Sequence, residues 1–224
     1  MRLNLPNLLT VARLIAAPGV AVAFLYFNRP GADWFALLLF VSAAATDWID
    51  GRLARAWGQQ TKLGTMLDPI ADKAMVVIAL AVIIGFSGLA PWILLPATVI
   101  LFREVFVSGL REYLGDVAGQ LQVTKLAKWK TTVQMVAIAT LFAQGVFEHY
   151  IAAIAYGMGE VSVQAVLDGR AEDTQGLIPL TWGLTATWYG GIALLWVAAL
   201  LTAATGWDYY RKARPYLREE EATG

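Results

Sequence analysis

The sequence predicts an all-α membrane protein with six transmembrane helices, and two observations lead to this fold class. Of its 224 residues, 58% are hydrophobic and 15% are charged, whereas an ordinary soluble domain is about 45–50% apolar and about 25% charged. Uncharged runs recur along the chain, and a membrane-spanning helix needs about 20 mostly apolar residues. The absence of Cys and the single His argue against a zinc cluster, a Cys nucleophile and a Ser-His-Asp triad. The formal net charge of zero argues against a nucleic-acid-binding surface.

The uncharged runs place the six helices near 10–27, 33–57, 62–86, 90–114, 126–148 and 180–210. The polar segment 4–10 predicts the start of the first helix, with an Asn or Thr as its cap. Pro69 either begins the third helix or lies inside a longer one, and the apolar and small residues that run back to Leu63 favour the second arrangement. The run 74–102 is too long for one span, and its Gly/Ser/Pro-rich segment 85–91 predicts a turn between the third and fourth helices.

The C-terminal third combines a polar segment with a long apolar run. Segment 149–178 is predicted to be an extracytoplasmic loop, either a variable loop without a catalytic role or a short lid on the outer membrane surface. The run 174–207 would measure about 50 Å as one helix, against a hydrocarbon core of about 30 Å. We therefore expect a lead-in that ends near Pro179, followed by one long helix. No internal repeat is present, so residues 1–224 are predicted to form a single membrane domain.

The distribution of Lys and Arg predicts that both termini are cytoplasmic. Only Arg29 and Arg170 fall in the loops that would lie outside, which leaves 15 of the 17 basic residues on the opposite side. Cytoplasmic loops of membrane proteins are enriched in Lys and Arg. No cleavable signal peptide is expected, because the amino terminus has no basic cluster and no small-residue cleavage site ends the first apolar run.

Four aspartates cluster at the inner ends of the second and third predicted helices: Asp47, Asp50, Asp68 and Asp72. At about 100° per residue, the first two lie about 60° apart on one face, and the last two are one turn apart on one stripe. Inward-facing carboxylates on adjacent helices are how helical bundles build two-metal sites. Oxygen-only ligands favour Mg²⁺ or Mn²⁺ over zinc. The alternative is a set of interfacial aspartates that are simply paired with neighbouring Arg and Lys.

Small residues and one arginine accompany these aspartates. Gly51 and Ala54 leave room beside the carboxylates for a bulky ligand, and Gly64 does so one turn before Asp68. Arg55 lies on the same arc and is suited to bind a phosphate with two hydrogen bonds. The single His, at position 149, is predicted on the outer side, away from the four aspartates.

The complete pattern is Asp47-x2-Asp50-Gly51-x2-Ala54-Arg55-x8-Gly64-x3-Asp68-x3-Asp72. At every position it resembles the signature of the CDP-alcohol phosphotransferase family. The resemblance implies a six-helix membrane enzyme, usually a homodimer, that moves a phosphatidyl or similar group from a CDP-linked donor to an alcohol and releases CMP. It implies two divalent cations, Mg²⁺ or Mn²⁺, held by Asp47, Asp50 and Asp68, with Asp72 as a further ligand and the base. The residues implied to border CDP are Gly51, Ala54, Arg55, Thr61 and Gly64.

A second group of residues bears on the acceptor. Basic residues at the inner ends of the fourth and fifth helices can bind an anionic acceptor: Arg103, Arg111, Lys128 and Lys130. The alternative for each is that it snorkels to water or meets anionic headgroups. Segments 101–112 and 125–135, and the start 4–13, resemble family members whose acceptor is glycerol 3-phosphate. We therefore expect CDP-diacylglycerol and glycerol 3-phosphate as substrates, with Asn7 and Thr10 near the cytoplasmic mouth of the site.

These expectations describe an enzyme of the bacterial inner membrane, surrounded by membrane lipids, whose active site faces the cytoplasm. One alternative is another member of the same family that makes cardiolipin or phosphatidylserine. The other is a non-enzymatic transporter that uses the same aspartates to move divalent cations. The transporter offers no reason for Arg55 and the small residues beside the carboxylates.

Overall fold

The computed structural model describes residues 5–57, 61–120 and 125–217, apart from the side chains of 5–6, 44, 46–57, 62, 116, 120, 125 and 127–128. Within these ranges the chain forms helices and turns, with no strand, which confirms the predicted all-α class. The helices are α1 Leu5–Tyr26, α2 Gly31–Trp57, α3 Lys62–Phe86, α4 Pro91–Leu114, α5 Lys125–Met158, α6 Glu160–Leu167 and α7 Leu177–Leu217. A short 3-10 helix, Gly115–Gln120, follows α4.

Five of these helices, α1, α3, α4, α5 and α7, are long and apolar enough to cross a membrane. The described part of α2 adds a shorter apolar segment, Gly31–Ala43. Large apolar side chains face outward along these helices, among them Ile15, Leu25, Phe102, Val105 and Leu200. A soluble protein rarely exposes so much contiguous apolar surface, so this surface fits lipid. The count of six spans and the cytoplasmic termini stay predictions.

Two of the predicted helix features are confirmed and one is wrong. Helix α3 contains Pro69 in its interior, as the apolar residues before it favour. Helix α3 ends at Phe86 and α4 begins at Pro91, so the predicted turn lies between them. The first helix, however, is already helical at Leu5 rather than starting near residue 10. Asn7 and Thr10 therefore lie inside the helix and do not cap it, and the remaining candidate cap, Asn4, lies outside the described residues.

The segment predicted as a loop, 149–178, is largely helical. Helix α5 continues through Met158, and α6 follows after Gly159, whose positive φ of 77° favours glycine. Helix α5 is thus ten residues longer than predicted. The mildly apolar stretch 151–156 continues the helical pattern of apolar residues and contains no residue that ends a helix. Whether this segment lies outside the membrane stays a prediction.

Helix α7 begins at Leu177, slightly before the predicted start after Pro179. The carboxylate of Asp173 accepts hydrogen bonds from the backbone amides of Leu177 and Ile178, each at 2.8 Å. Pro179 lies in the first turn of α7, where a helix needs no donor from its backbone nitrogen. The hydrogen bond from Ile178, followed by those from the neighbouring amides, lowers the pKa of Asp173 below its usual value.

The helices pack as two neighbouring groups. Helix α1 lies along α3 and α2, while α5 and α4 both lie along α7, and α2 packs on α5. The shared core contains fully buried large side chains from five helices: Phe40, Leu80, Ile100, Ile138 and Leu195. This packing places polar residues of α1 and α3 beside polar residues of α4, α5 and α7 at one end of the bundle.

Candidate active site

Helices α1 and α3 bring an arginine, a threonine and two aspartates together. The Thr10 hydroxyl donates a hydrogen bond to Asp68 Oδ1 at 2.6 Å. Arg13 Nη1 donates to Asp72 Oδ1 at 3.0 Å, and Arg13 Nη2 lies 3.7 Å from Asp68 Oδ1. The Arg13 side chain is 7% exposed, whereas the two carboxylates are 50% and 49% exposed. The pair Asp68 and Asp72 thus presents carboxylate oxygens outward, with the arginine behind them.

This arrangement is suited to bind a further cation. One guanidinium lies between two carboxylates, so the three groups together retain a negative charge. The exposed donors are carboxylate oxygens, which are the ligands that Mg²⁺ and Mn²⁺ prefer. Among the described side chains no three His, Asp or Glu residues are close enough to hold a metal ion. The other two predicted ligands, Asp47 and Asp50, have side chains outside that set.

Thr61, Asn7 and Gly64 join the start of α3 to α1. Thr61 caps α3, because its Oγ1 accepts a hydrogen bond from the Gly64 amide at 3.1 Å. The same hydroxyl donates to Asn7 Oδ1 at 2.9 Å. A Cβ at position 64 would lie 2.6 Å from Asn7 Oδ1, so glycine permits this close approach. Asn7 and Thr10, predicted near the mouth of the site, are both buried against α3.

The predicted acceptor residues occupy a second polar region, on α4, α5 and α7. Arg103 and Lys130 both pair with the carboxylate of Glu104. Arg111 lies farther along α4, with its guanidinium carbon 5.3 Å from the centre of the Tyr209 ring. Two of the predicted cations therefore converge on one carboxylate, and a third contacts an aromatic ring.

A contact between α3 and α4 joins the two polar regions. Lys73 follows Asp72 directly in the chain, and its Nζ donates to the Ser108 hydroxyl at 2.5 Å. Ser108 in turn donates to the backbone carbonyl of Glu104 at 2.6 Å. The acidic stripe of α3 and the basic residues of α4 and α5 therefore lie at the same end of the bundle.

An apolar groove of about 560 Å³ opens between α4 and α7, beside Arg103. Its lining includes Phe102, Phe106, Gly206 and Tyr210. The rings of Phe102 and Phe106 are stacked 6.0 Å apart, and Tyr210 lies 6.1 Å from Phe106. A groove with aromatic walls and one guanidinium at its edge suits the chain of a charged lipid.

Several predicted site residues lie outside the described side chains: Asp47, Asp50, Gly51, Ala54, Arg55 and Lys128. The backbone of α2 is helical through Trp57. The predictions for the five of these residues that lie on α2 assume a helix, and this helix is present. Their roles stay predictions.

Sequence reasoning missed the contribution of Arg13 and Lys73. Arg13 comes three residues after Thr10, which itself comes three residues after Asn7, and this spacing keeps neighbours on one side of a helix. That periodicity was available in the sequence. The contact of Lys73 with Ser108 depends on how α3 and α4 pack, and the sequence gives no direct signal for it.

Comparisons with known proteins show what the whole chain is similar to. Residues 3–161 match the model of the family described as CDP-alcohol phosphatidyltransferase. A protein of Cereibacter sphaeroides named CDP-diacylglycerol--glycerol-3-phosphate 3-phosphatidyltransferase is 60% identical over 222 residues, which cover 99% of this chain and 100% of the relative. A relative of the same name from Salmonella choleraesuis is 34% identical over 98% of this chain and 100% of its own length. Another from Haemophilus influenzae is 41% identical over 63% of this chain and 76% of its own length.

Proposed function

This chain belongs to the CDP-alcohol phosphatidyltransferase family, and we propose that it transfers the phosphatidyl group of CDP-diacylglycerol to glycerol 3-phosphate. The products are phosphatidylglycerol phosphate and CMP. The observation that carries this proposal is the contact of Lys73 with Ser108, because it sets the acidic stripe beside the cations of α4 and α5. The two substrates in the name of the full-length relatives are both anionic, and these cations offer groups that can bind them.

The residues of α3 account for the proton transfer. Asp72 accepts the proton of the attacking hydroxyl of glycerol 3-phosphate, and the freed oxygen forms a bond to the phosphorus next to diacylglycerol. The bond from that phosphorus to the oxygen of CMP breaks, and CMP leaves with the electron pair. Arg13 donates a hydrogen bond to Asp72, and Thr10 donates one to Asp68. These contacts restrict the two carboxylates and keep the base oriented toward the acceptor.

The carboxylates fit divalent cations. We assign two ions, Mg²⁺ or Mn²⁺, to Asp47, Asp50, Asp68 and Asp72, on the basis of the oxygen-only donors and the half-exposed carboxylates of α3. Such ions neutralise the charge of a pyrophosphate and of the leaving CMP when they are bound. Gly51, Ala54, Arg55, Thr61 and Gly64 are assigned to the CDP moiety, and the capping contacts of Thr61 hold the start of α3 in place.

Chelation tests the metal assignment. We expect purified enzyme to lose activity completely in excess EDTA and to regain it when Mg²⁺ or Mn²⁺ is restored. A parallel sample with EDTA already saturated by Ca²⁺ or Mg²⁺ controls for effects of the chelator itself. Full CMP release after removal of divalent ions would contradict the assignment.

The membrane arrangement follows from the same charges. We propose six spans in the bacterial inner membrane, with both termini and the active site facing the cytoplasm, since 15 of the 17 basic residues fall on that side. The acyl chains of the donor would enter laterally from the inner leaflet, and the apolar groove between α4 and α7 is suited to one of them. A homodimer is proposed from the family resemblance.

The acceptor is tested by measuring CMP release. Purified protein receives labelled CDP-diacylglycerol together with glycerol 3-phosphate, phosphatidylglycerol or serine. Of these three acceptors, we expect only glycerol 3-phosphate to cause release of CMP. The variant Asp68→Asn serves as a control without activity. Release with serine or phosphatidylglycerol alone would replace the proposed acceptor, and metal flux through vesicles without CMP release would favour a transporter.

A further inference from the structure

Glu104 is a buried carboxylate between a buried cation, Lys130, and a partly exposed cation, Arg103. Its side chain on α4 is 9% exposed, and the Lys130 side chain on α5 that pairs with it is 8% exposed. Arg103 Nη1 donates to the same oxygen, Glu104 Oε1, at 3.3 Å. The described mechanism gives this carboxylate no contact with either substrate, so its burial calls for another explanation.

The charges around Glu104 do not balance. Among the described side chains, Arg103 and Lys130 contact Glu104 directly, and Lys73 is held one turn away by Ser108. Three cations and one carboxylate leave an excess of two positive charges. Three cations that share one buried carboxylate repel one another, so the cluster is suited to an anion that carries about two negative charges.

Arg103 also has one donor without a partner among the described residues. Its Nε is buried and makes no hydrogen bond to any residue that the structure describes. The stem of Arg103 lies against α7, where a Cβ at Gly206 would come within 2.9 Å of Arg103 Cγ. The guanidinium is therefore held by Glu104 at Nη1 and by α7 along its stem, while Nε is a buried donor without a hydrogen bond to the described residues.

We propose that Glu104 is a positioning residue for the acceptor: it holds Lys130 and Arg103 so that a phosphate monoester dianion completes the cluster. A phosphate monoester carries a charge of about −1.5 to −2 at pH 7, which matches the excess positive charge. Glu104 itself does not touch the acceptor, since its carboxylate would repel the phosphate. This inference rests on the proposed function, because glycerol 3-phosphate is the acceptor that presents such a group.

The test is Glu104→Gln, which keeps the size of the side chain and removes its charge. We expect the KM for glycerol 3-phosphate to rise by about tenfold or more, because one partner of a buried charge pair is lost, while the KM for CDP-diacylglycerol changes less than about twofold. Glu104→Asp keeps the charge and should recover part of the loss. The matched control is Asp33→Asn, which removes a buried, arginine-paired carboxylate at the other end of the bundle and should leave both KM values unchanged.

A purely structural role predicts a different result. If Glu104→Gln lowers thermal stability but leaves the KM for glycerol 3-phosphate unchanged, or raises both KM values equally, the inference is wrong. If that variant does not fold, Ser108→Ala replaces it, since it removes the hydrogen-bond partner of Lys73 and, apart from that, only a bond within α4 to the backbone carbonyl of Glu104. We then expect a rise of about threefold in the same KM, and an unchanged value would overturn the inference.

Inorganic phosphate separates this inference from the proposed function. Inorganic phosphate carries the same kind of dianionic group but lacks the glycerol hydroxyl, so it should inhibit competitively without acting as an acceptor. Glu104→Gln should weaken that inhibition by about the same factor by which it raises the KM for glycerol 3-phosphate. If the wild type uses another acceptor but phosphate still competes in a Glu104-dependent way, the cluster is supported and the proposed function fails. If glycerol 3-phosphate is the acceptor and phosphate inhibition does not depend on Glu104, the inference alone fails.

Discussion

Two arginine–aspartate pairs lie at opposite ends of the bundle, and they are buried in opposite ways. In the pair of Arg13 with Asp72 the arginine is 7% exposed and the carboxylate is 49% exposed. In the pair of Arg29 with Asp33 the arginine is 34% exposed and the carboxylate is 2% exposed. The first pair leaves its carboxylate half exposed, as the proposed metal site requires, whereas the second encloses its carboxylate. Which partner is enclosed, rather than the pairing itself, distinguishes the proposed site from the pair at the other end.

The contacts of Arg29 account for its structural role. It donates two hydrogen bonds of 2.6 Å to the two oxygens of Asp33. Its guanidinium carbon also lies 5.6 Å from the ring centre of Phe24 and 5.3 Å from that of Phe86. The pair therefore connects the start of α2 with the ends of α1 and α3, where cation–π contacts add to the ion pair.

The largest expected effect is on turnover, from Asp72→Asn. This change removes the proposed base while keeping the size and much of the hydrogen bonding of the side chain. We expect kcat to fall by at least about 10²-fold, with binding of CDP-diacylglycerol largely kept. Steady-state kinetics and a lipid-binding assay measure the two quantities separately. Turnover close to that of the wild type would exclude Asp72 as the base.

The corresponding change at the other end, Asp33→Asn, should affect stability and not chemistry. It leaves Arg29 without its bidentate partner, and breaking a largely buried ion pair costs about 1–3 kcal/mol once the partial exposure of Arg29 is allowed for. Thermal unfolding in detergent should show a lower midpoint, while kcat per folded molecule stays unchanged. A large loss of kcat at an unchanged midpoint would show that the comparison of the two pairs is wrong.

Two glycines sharpen the comparison further. A Cβ at Gly145 would lie 2.2 Å from both Arg29 Nη2 and Asp33 Oδ1, and one at Gly64 would lie 2.6 Å from Asn7 Oδ1. Gly145→Ala should lower the unfolding midpoint, because the bidentate pair has little room to move. Gly64→Ala should instead lower activity by about two- to fivefold, through a shifted Asn7 and Thr61 beside the site. The same measurements of midpoint and kcat apply, and an exchange of the two phenotypes would contradict the assignment.

The smallest effect is expected at Asp173, which is exposed and lies outside both regions. Its pKa is lowered by hydrogen bonds from the amide of Ile178 and its neighbours, so its ionised form is favoured in the folded state. The resulting stability is present above the unfolded pKa of about 3.9 and is lost as the pH falls through the lower folded pKa. Asp173→Asn should therefore lower the unfolding midpoint slightly at pH 7 and less at pH 3. A difference that grows toward acid pH would contradict this sign.

The order of the helices and the interior position of Pro69 could be predicted because apolar runs and turn residues are local signals. The ends of the helices were less predictable, as α1 and α5 show, because an end depends on what the flanking residues contact. The placement of Asp68 and Asp72 on one stripe followed from their spacing. The pairing of Lys130 with Glu104 did not, because those residues are far apart in the chain and meet only through helix packing.

By itself the sequence determined the all-α class, the apolar spans and the acidic motif that identifies the family, since each depends on composition or on spacing within a helix. Only the tertiary structure decided which charges are partners and which of them are enclosed. The reason is that burial is a property of packed helices: the packing of α1 on α3 buries Arg13 while leaving Asp68 and Asp72 half exposed, and the packing of α4 and α5 encloses Glu104 with Lys130. The free energy of a charged side chain depends on how deeply it is buried and on its partners, and its role depends on them as well.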